Sequence, residues 1–312
     1  MVKICNKMKD FASSSLNLFI SLVGHPKFSA FIMAHKHKVD SKEAGLEIGL
    51  LIGRFFFDTE DLHYGLFKDG LEPKGLNFRK SQEYHSDLII ENIQEGTHTI
   101  LDVGSGSGNL ARRLLDNGFK VDCVSPSSYL SDAIHEKVGD ETEIFRCKYE
   151  DLKTDKMYDQ IQFSESFQYV PVERALDQTF NMLNPGGHLL ICDFFTVPAE
   201  GEVPLGGGHR FPFFKEAIEK TDFEQIVDID ITEDTAKTMT ILEDFVEKVA
   251  GPVGEISGKY FDSHYPKLMK LFRWKFRERY EKINRIYFSG HLNAETFIKY
   301  KTYRLMVFKK PA

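Results

Sequence analysis

Residues 100–108 constrain what this chain can fold into more than any other stretch. An apolar run from Ile100 to Val103 contains Asp102, and glycines follow at positions 104, 106 and 108 before a helical pattern begins at Asn109. We interpret this as a buried strand, a tight glycine turn and a helix N-terminus. Glycine lets a ligand lie against bare main chain, and a helix N-terminus offers unpaired N–H groups. The stretch therefore predicts a site for a nucleotide-like ligand.

Strand and helix patterns alternate after this turn, with short connections. The pattern predicts strands over Lys120–Val124, Thr142–Cys147, Tyr158–Phe163 and His188–Asp193, and helices over Arg79–Asn92, Ser127–Val138 and Val172–Met182. This alternation is typical of a parallel sheet with helices on both faces. We also expect a turn over Asn184–Gly187.

The regular alternation of strands and helices ends after Asp193. A loop over residues 197–208 is followed by a helix and a strand, then by an insertion with helical patterns, and the last strand covers Thr302–Lys309. Before the glycine turn we predict helices over Lys27–His37 and Ser41–Phe57. We therefore predict an N-terminal helical segment over 1–92, a core over 93–232 and 291–312, and a helical cap over 233–290.

Composition limits the classes of function. The chain has 312 residues and a formal net charge of −7, whereas a nucleic-acid binder is usually basic. Its four cysteines form no C-x-x-C pair, so we expect reduced thiols in the cytoplasm. No apolar run approaches the ~20 residues that span a bilayer. Asn17 and Ser21 interrupt the weakly signal-like start. We predict no metal site and no nucleic-acid partner.

Two ligand families use a strand–glycine–helix turn. Dinucleotide dehydrogenases want G-x-G-x-x-G, but Asn109 stands where the third glycine belongs. From about Asp61 to Lys309 the chain instead resembles the class I S-adenosylmethionine-dependent methyltransferases. The resemblance is carried by Ile100–Gly108, by Phe163–Val170 after the fourth strand and by Met182–Leu189 before the fifth. It implies a Rossmann-like, mostly parallel seven-stranded sheet whose last strand is antiparallel.

The resemblance also assigns cofactor contacts. The loop would wrap the methionine end through Gly104, Ser105, Gly106 and Gly108. Asp102 would complement the cofactor's amino group, or would only cap the loop. Ser125, with Pro126 and Ser127, stands where the family has an acid for the ribose, and a hydroxyl binds ribose more weakly than a carboxylate does.

The adenine contact departs from the family pattern because Lys148 occupies the usual acidic position. Tyr149 and Glu150 are the predicted substitutes, through main-chain N–H and ring contact, although Glu150 could equally cap a turn. Ser164 completes the predicted cofactor set. Tyr64 would close over the methionine part, where a ring gains cation–π attraction to sulfur; packing within its loop is the alternative.

The reaction implied is direct displacement at a carbon that positive sulfur activates, so that alignment and exclusion of water matter most. Glu165 is the first candidate for a catalytic group, with a hydrogen bond to its own loop as the alternative. His209 is the second candidate for a base. We predict that His63, Gln168 and Tyr169 line the substrate pocket.

Ser125 is similar to the hydroxyl residue of the cyclopropane-synthase-like and tocopherol-methyltransferase-like branches, which suggests a small, lipophilic or secondary-metabolite acceptor. An NAD-type oxidoreductase, disfavoured by Asn109 and Ser125, and a non-catalytic S-adenosylmethionine-binding scaffold are the alternatives. The basic stretch Lys267–Arg285 is interpreted as a solvated face, a docking surface for anionic membranes or a clamp for an acidic substrate group. The sequence leaves a homodimer open.

Overall fold

A computed structural model describes residues 41–201 and 205–312 of the chain. The chain divides into two compact units, residues 1–45 and 46–312, and the second unit contains every strand of the sheet. The predicted helix Lys27–His37 and the signal-like start lie outside the described residues. No helix among the residues that are described is long and apolar enough to cross a membrane.

The seven strands form one sheet in the order β3-β2-β1-β4-β5-β7-β6, and β7 runs antiparallel to both of its neighbours. This confirms the predicted α/β fold with an antiparallel last strand. The strands are β1 Thr99–Val103, β2 Lys120–Val124, β3 Ile144–Phe145, β4 Tyr158–Ser164, β5 Leu183–Thr196, β6 Glu224–Asp230 and β7 Lys301–Lys309.

Helices cover both faces of the sheet. In chain order the α-helices are α1 Ser41–Ile52, α2 Phe78–Glu91, α3 Asn109–Asp116, α4 Ser128–Val138, α5 Val172–Met182, α6 Phe211–Ile218, α7 Thr232–Ala236, α8 Thr238–Phe245, α9 Gly251–His264, α10 Pro266–Lys275, α11 Arg277–Tyr287 and α12 Ala294–Tyr300. Single π-helical turns follow α1 over Gly53–Phe57 and α8 over Val246–Ala250.

Strand β1 shows why the sheet needs two helical layers. Ile100 packs into the apolar cluster on one face, and Leu101 and Val103 pack into the cluster on the other. Successive side chains of a strand point to opposite faces, so an apolar residue at nearly every position requires both faces to be covered. The run Ile100–Val103 therefore fixes β1 in the centre of the sheet.

Three elements differ from the sequence prediction. Strand β5 begins at Leu183 rather than His188, because the predicted turn is a bulge within the strand: Gly186 has φ of +74°, and the pairing register shifts beside it. Strand β3 has only two residues. Helix α12, next to β7, was not predicted.

The strand order places the site. Strands β1 and β4 are parallel neighbours, yet the chain leaves β1 toward β2 on one side and leaves β4 toward β5 on the other. Ligands of open α/β sheets bind at such a switch point, outside the carboxyl ends of the strands. Residues 104–108 and 164–170 follow these two strands and meet there.

Candidate functional site

The glycine loop is shaped by close packing as well as by conformation. Gly104 has φ of +75°, and a Cβ atom there would lie 2.4 Å from the Cβ of Ser166. Ser166 in turn donates a hydrogen bond from Oγ to the main-chain oxygen of Val103. Gly106 also has a positive φ, of +56°, but its nearest neighbour to an added Cβ is Leu62 Cδ1 at 3.8 Å. Gly104 is therefore needed by the protein, whereas Gly106 leaves room for a ligand.

Lys137 stabilises the C-terminal end of this loop through its side chain. Its Nζ donates to Ser107 Oγ at 3.0 Å and also contacts Asn109 Oδ1. The same ammonium pairs with Glu60. Lys137 thus joins the loop to helix α4 and to the segment before residue 61. No sequence pattern signals this role, because a lysine in the last turn of a helix is ordinary.

Two predicted cofactor residues carry buried oxygen atoms without a hydrogen-bond partner among the described residues. These atoms are Asp102 Oδ2 and Ser164 Oγ, at the ends of the adjacent strands β1 and β4. Asp102 Oδ1 accepts a hydrogen bond from Gln162 at 3.0 Å. Unpaired buried oxygens are costly unless a ligand completes them. The pair therefore fits a ligand that brings a cationic amino group and hydroxyls.

Burial raises the pKa of Asp102, and the hydrogen bonds from Gln162 and Ser105 oppose that rise. A cation placed against Oδ2 would favour the ionised form, since opposite charges stabilise each other. Such a response is expected of a carboxylate that meets the cofactor's amino group.

The predicted ribose contacts lie in the turn that follows β2. Ser125 is buried and donates its N–H to Phe145 O at 3.0 Å, and Pro126 is exposed at the tip. Ser127 is the N-cap of helix α4, because its Oγ accepts from Leu130 N at 3.3 Å. The hydroxyl of Ser127 thus has a structural partner, and Ser125 is the better ribose candidate of the two.

The structure contradicts the predicted ring contact of Tyr149. Its ring lies in the core, edge-on to Phe163 at 5.2 Å, and its hydroxyl bonds to Thr179 Oγ1 at 2.8 Å. Only the main chain of Tyr149 can face a ligand. Glu150 lines a shallow groove with Arg174, on the side of helix α5.

Glu165 is the most constrained side chain of the site. It has φ of +52°, a left-handed conformation that costs a non-glycine residue about 1 kcal/mol. Its Oε1 accepts from Tyr64 N at 2.6 Å and from Tyr303 Oη at 2.7 Å. Its own N–H donates to Cys192 O at 2.9 Å. The strained backbone and both donors hold the carboxyl group just past the end of β4, beside the glycine loop.

Tyr303 also forms a hydrogen bond with a buried histidine. His85 Nε2 lies 2.8 Å from Tyr303 Oη. Since the hydroxyl proton of Tyr303 is donated to Glu165, His85 must donate from Nε2, which leaves its Nδ1 bare. Nδ1 has no partner within the described part of the chain. Burial, with the charge of His63 second, lowers the pKa of His85 well below its ordinary value, so the ring is neutral.

Two buried carboxyl groups hold protons unusually tightly. Burial raises the pKa of Glu165 to about 8, and the nearby charge of Asp193 adds to the rise. Burial likewise raises the pKa of Asp193 to about 7. Carboxyl groups with perturbed pKa values at the end of a sheet mark functional sites. Asp193, at the end of a predicted strand in the same way as Asp102, could have been recognised from the sequence.

Gln168 is fixed by distant parts of the fold rather than open to a substrate. Its N–H donates to Asp193 Oδ2 at 3.0 Å, and its Oε1 accepts from Gly208 N at 3.2 Å. Lys301 Nζ donates to Gly207 O at 2.5 Å. Gln168 and Lys301 thus anchor the glycine-rich loop, and the prediction that Gln168 lines the substrate pocket is not supported.

His209 is also committed to structure. Its Nε2 lies 3.1 Å from Phe167 O and 2.9 Å from Val170 O, and carbonyl oxygens accept only. Nε2 must therefore carry a proton and donate it. A role for His209 as a base would have to use its Nδ1, and this role stays a prediction.

His63 packs against neighbouring side chains, and its predicted substrate role stays a prediction. Its Nδ1 contacts Tyr64 O at 2.8 Å, and its ring stacks on His85 with centroids 4.2 Å apart. Tyr64 stacks against Phe194 at 5.7 Å and is only partly buried. Tyr169 is an exposed residue. Partial burial raises the pKa of its hydroxyl, and the charge of Glu165 is the second cause of the rise. Tyr64 and Tyr169 therefore remain candidates to contact ligands.

A family model described as a methyltransferase domain matches residues 77–223, the part of the chain that contains the glycine loop and Glu165. Residues 77–223 thus resemble a methyltransferase domain. Together with the sheet order, this match confirms the predicted resemblance to class I S-adenosylmethionine-dependent methyltransferases. Among the described residues, no three His, Cys, Asp or Glu side chains are grouped so that they could hold a metal ion.

Relatives agree with the domain. An uncharacterized methyltransferase of Oceanobacillus iheyensis is 25% identical over 176 residues, which are 54% of this chain and 82% of that protein. A mycobacterial relative, from Mycobacterium bovis, is covered over only 47% of its length.

Solved structures share the fold of this chain. A cyclopropane synthase of Mycobacterium tuberculosis has a TM-score of 0.60 at 15% identity, over 87% of this chain and 95% of that one. A geranyl diphosphate C-methyltransferase of Streptomyces coelicolor A3(2) has a TM-score of 0.59 at 13% identity, over 88% and 99%. At these identities the likeness concerns the fold alone.

Substituting Gly106→Ala tests the ligand side of the loop. We expect affinity for S-adenosylhomocysteine to fall at least ~10-fold while the protein stays folded, because the added methyl enters the ligand's space. Calorimetric titration measures the affinity. Gly118→Ala is the matched control, since Gly118 also has a positive φ, of +89°, and nothing lies within 4 Å of an added Cβ. Equal affinities in the two variants would place the ligand elsewhere.

Substituting Glu165→Gln tests the raised pKa. Unfolded Glu165 loses its proton near pH 4.5 and folded Glu165 near pH 8, so between these values the folded state binds the extra proton and stability falls as pH rises. The glutamine cannot ionise. We expect the wild type to lose on the order of 5 kcal/mol relative to this variant between pH 4.5 and 8. Urea unfolding of both proteins at several pH values measures the difference, with Glu219→Gln at an exposed position as the control. Parallel pH dependences of the wild type and Glu165→Gln would contradict the prediction.

Proposed function

We propose that this protein transfers a methyl group from S-adenosylmethionine to a small, lipophilic acceptor by direct displacement. The observation that carries the proposal is Glu165, held by a left-handed backbone and two donors where β1 and β4 present the glycine loop. Binding a nucleotide does not require a strained acidic residue at this position. The backbone strain of Glu165 is explained if its carboxyl group must be positioned for chemistry.

The donor's binding residues are proposed from the geometry above. Gly106 with Ser105 would lie against the methionine part, Asp102 would meet its amino group, and Ser164 and Ser125 would meet hydroxyls. When bound, S-adenosylmethionine supplies a methyl group that the adjacent positive sulfur has already activated. Alignment and exclusion of water are then the main tasks of the chain.

Glu165 acts as a base where the acceptor atom carries a proton. Oε1 is occupied by Tyr64 and Tyr303, so Oε2 would take the proton while the acceptor atom bonds to carbon. A carboxyl group with a pKa of about 8 is well matched to this task near neutral pH. The cationic donor would lower that pKa further and favour the ionised base.

Aromatic side chains support the lipophilic class of acceptor. Tyr64, Phe194, Phe297 and Tyr303 pack against one another beside Glu165. Two proteins of similar fold are named a cyclopropane synthase and a geranyl diphosphate C-methyltransferase, and the proposed acceptor class is consistent with those names. We further propose that residues 46–92 and the helices of 233–290 close the pocket over the core, 93–232 with 291–312.

Cytoplasmic location stays part of the proposal. Its support is chemical, since Cys123, Cys147 and Cys192 are free thiols and the first and last of them are buried. The predicted membrane contact concerns a different part of the chain and does not depend on methyl transfer. A homodimer is compatible with the proposal but is not required by it.

Labelled S-adenosylmethionine with separate lipid and polar extracts as acceptor pools tests the proposal. We expect label in the lipid fraction, a loss of about 10²-fold or more in Glu165→Gln, and in Tyr303→Phe a rate that rises only at higher pH. Tyr303→Phe removes a donor that lowers the pKa of Glu165 and keeps the ring.

Two outcomes would favour the alternative functions, and one would remove Glu165 from the proposed mechanism. Binding of the donor without transfer to either pool would favour the non-catalytic scaffold. Unchanged rates in Glu165→Gln would show that the acceptor needs no base from this residue. Turnover of NAD would favour the oxidoreductase.

A further inference from the structure

Helices α10 and α11, residues 266–287, form a surface that the rest of the described chain does not cover. We refer to this surface as the basic arm. Of the described residues 251–288, none is buried. Large apolar side chains are exposed, with 61% of Leu268, 56% of Leu271, 53% of Phe272 and 77% of Trp274 open to solvent. Contiguous exposed apolar side chains mark interaction sites.

The exposed residues are arranged as on an interfacial helix. Leu268, Leu271 and Phe272 share one face of α10 through spacings of three and four residues, and Lys270 and Arg273 lie on the opposite face. Helix α11 also has an apolar face, formed by Tyr280, Ile283 and Tyr287. Helices with Lys and Arg on one face and Trp, Phe and Leu on the other lie in the plane of a membrane surface.

Charge distinguishes the arm from the rest of the chain. Residues 266–287 contain eight Lys and Arg and two Glu, a net charge of +6, whereas the whole chain has −7. The remainder therefore carries −13. Only Arg273, with Asp262 at 2.5 Å, and Arg277, with Glu281 at 3.6 Å, belong to ion pairs among the described residues of the arm. Most of the arm's positive charge has no ion-pair partner in the part of the chain that the structure describes.

This charge decides between two occupants. A second copy docking arm to arm in a symmetric dimer would place +6 against +6, because such an interface uses the same patch twice. An anionic bilayer attracts the cations and also accepts the apolar side chains. We propose that the basic arm docks this protein on anionic phospholipid membranes, with Leu268, Leu271 and Phe272 entering the headgroup region.

The charge of the remainder sets how the protein would dock. Its net charge of −13 is repelled by an anionic surface, so the arm would be the point of contact. Contact would be reversible and salt-dependent, since exposed charges are screened beyond about 8 Å at physiological ionic strength. Docking depends on the arm alone and would persist even in a protein that transfers no methyl group.

Trp274 makes the experiment direct, because it is the only tryptophan of the chain and lies on the arm. The full-length protein is mixed with phosphatidylglycerol–phosphatidylcholine vesicles or with pure phosphatidylcholine vesicles, and its emission and sedimentation are recorded. We expect a blue shift and co-sedimentation with the anionic vesicles only, both reversed by 0.5 M salt, roughly a fivefold shorter screening distance than at low salt.

Charge variants separate docking through the arm from nonspecific adsorption. Lys267→Glu with Lys270→Glu and Arg279→Glu should weaken vesicle binding by at least ~10-fold, whereas Lys120→Glu with Lys153→Glu and Lys215→Glu, an equal change elsewhere, should not. Leu271→Ser with Phe272→Ser should abolish the blue shift; both residues are exposed, so the fold is retained.

Three results would overturn the proposal. The first is absence of binding to anionic vesicles by a folded wild type, which would leave an acidic protein as the partner. The second is equal binding to neutral vesicles. The third is a dimer in sedimentation velocity without lipid that the arm variants dissociate.

Discussion

The carboxyl group of Glu165 joins three segments that are far apart in the chain. Its Oε1 accepts from the main chain of Tyr64 and from the hydroxyl of Tyr303, which lies on the antiparallel last strand. Strand β7 is thus a part of the site as well as of the sheet. The positions of Tyr64, of the β4 end and of the neutral His85 all depend on this one acceptor. Removing it would leave buried donors unpaired, which is more costly than losing the bond itself.

The site carries costs that a purely structural region would avoid. Glu165 has a left-handed backbone, Glu165 and Asp193 are acids whose pKa values burial raises, and Asp102, Ser164 and His85 have unpaired buried atoms among the described residues. Departures from local rules are expected where function overrides stability. They gather at the switch point between β1 and β4, and the same place binds ligands in open α/β sheets for topological reasons.

The features that the sequence predicts well are local. The glycine loop and the strands follow from periodicity and turn residues within short windows. The antiparallel direction of the last strand follows from the family resemblance. The candidate side chains that the structure commits to other contacts have partners distant in the sequence. The Tyr149 hydroxyl meets Thr179, and Gln168 meets Asp193 and Gly208. No pattern within a window of ten or twenty residues contains such contacts. His209 is fixed by the carbonyl oxygens of Phe167 and Val170, which are main-chain atoms and leave no trace in side-chain identity.

The helices of the basic arm are the opposite case, because their apolar and basic periodicity is visible in the sequence. Only the structure shows that no part of the described chain covers them.

The central claim is that the glycine loop binds the methyl donor rather than a dinucleotide. Calorimetric titration of the wild-type protein with S-adenosylhomocysteine and, separately, with NAD tests it most directly. We predict saturable binding of S-adenosylhomocysteine, with a Kd on the order of 1–100 μM, and no heat of binding with NAD. Saturable NAD binding with no response to S-adenosylhomocysteine would contradict it.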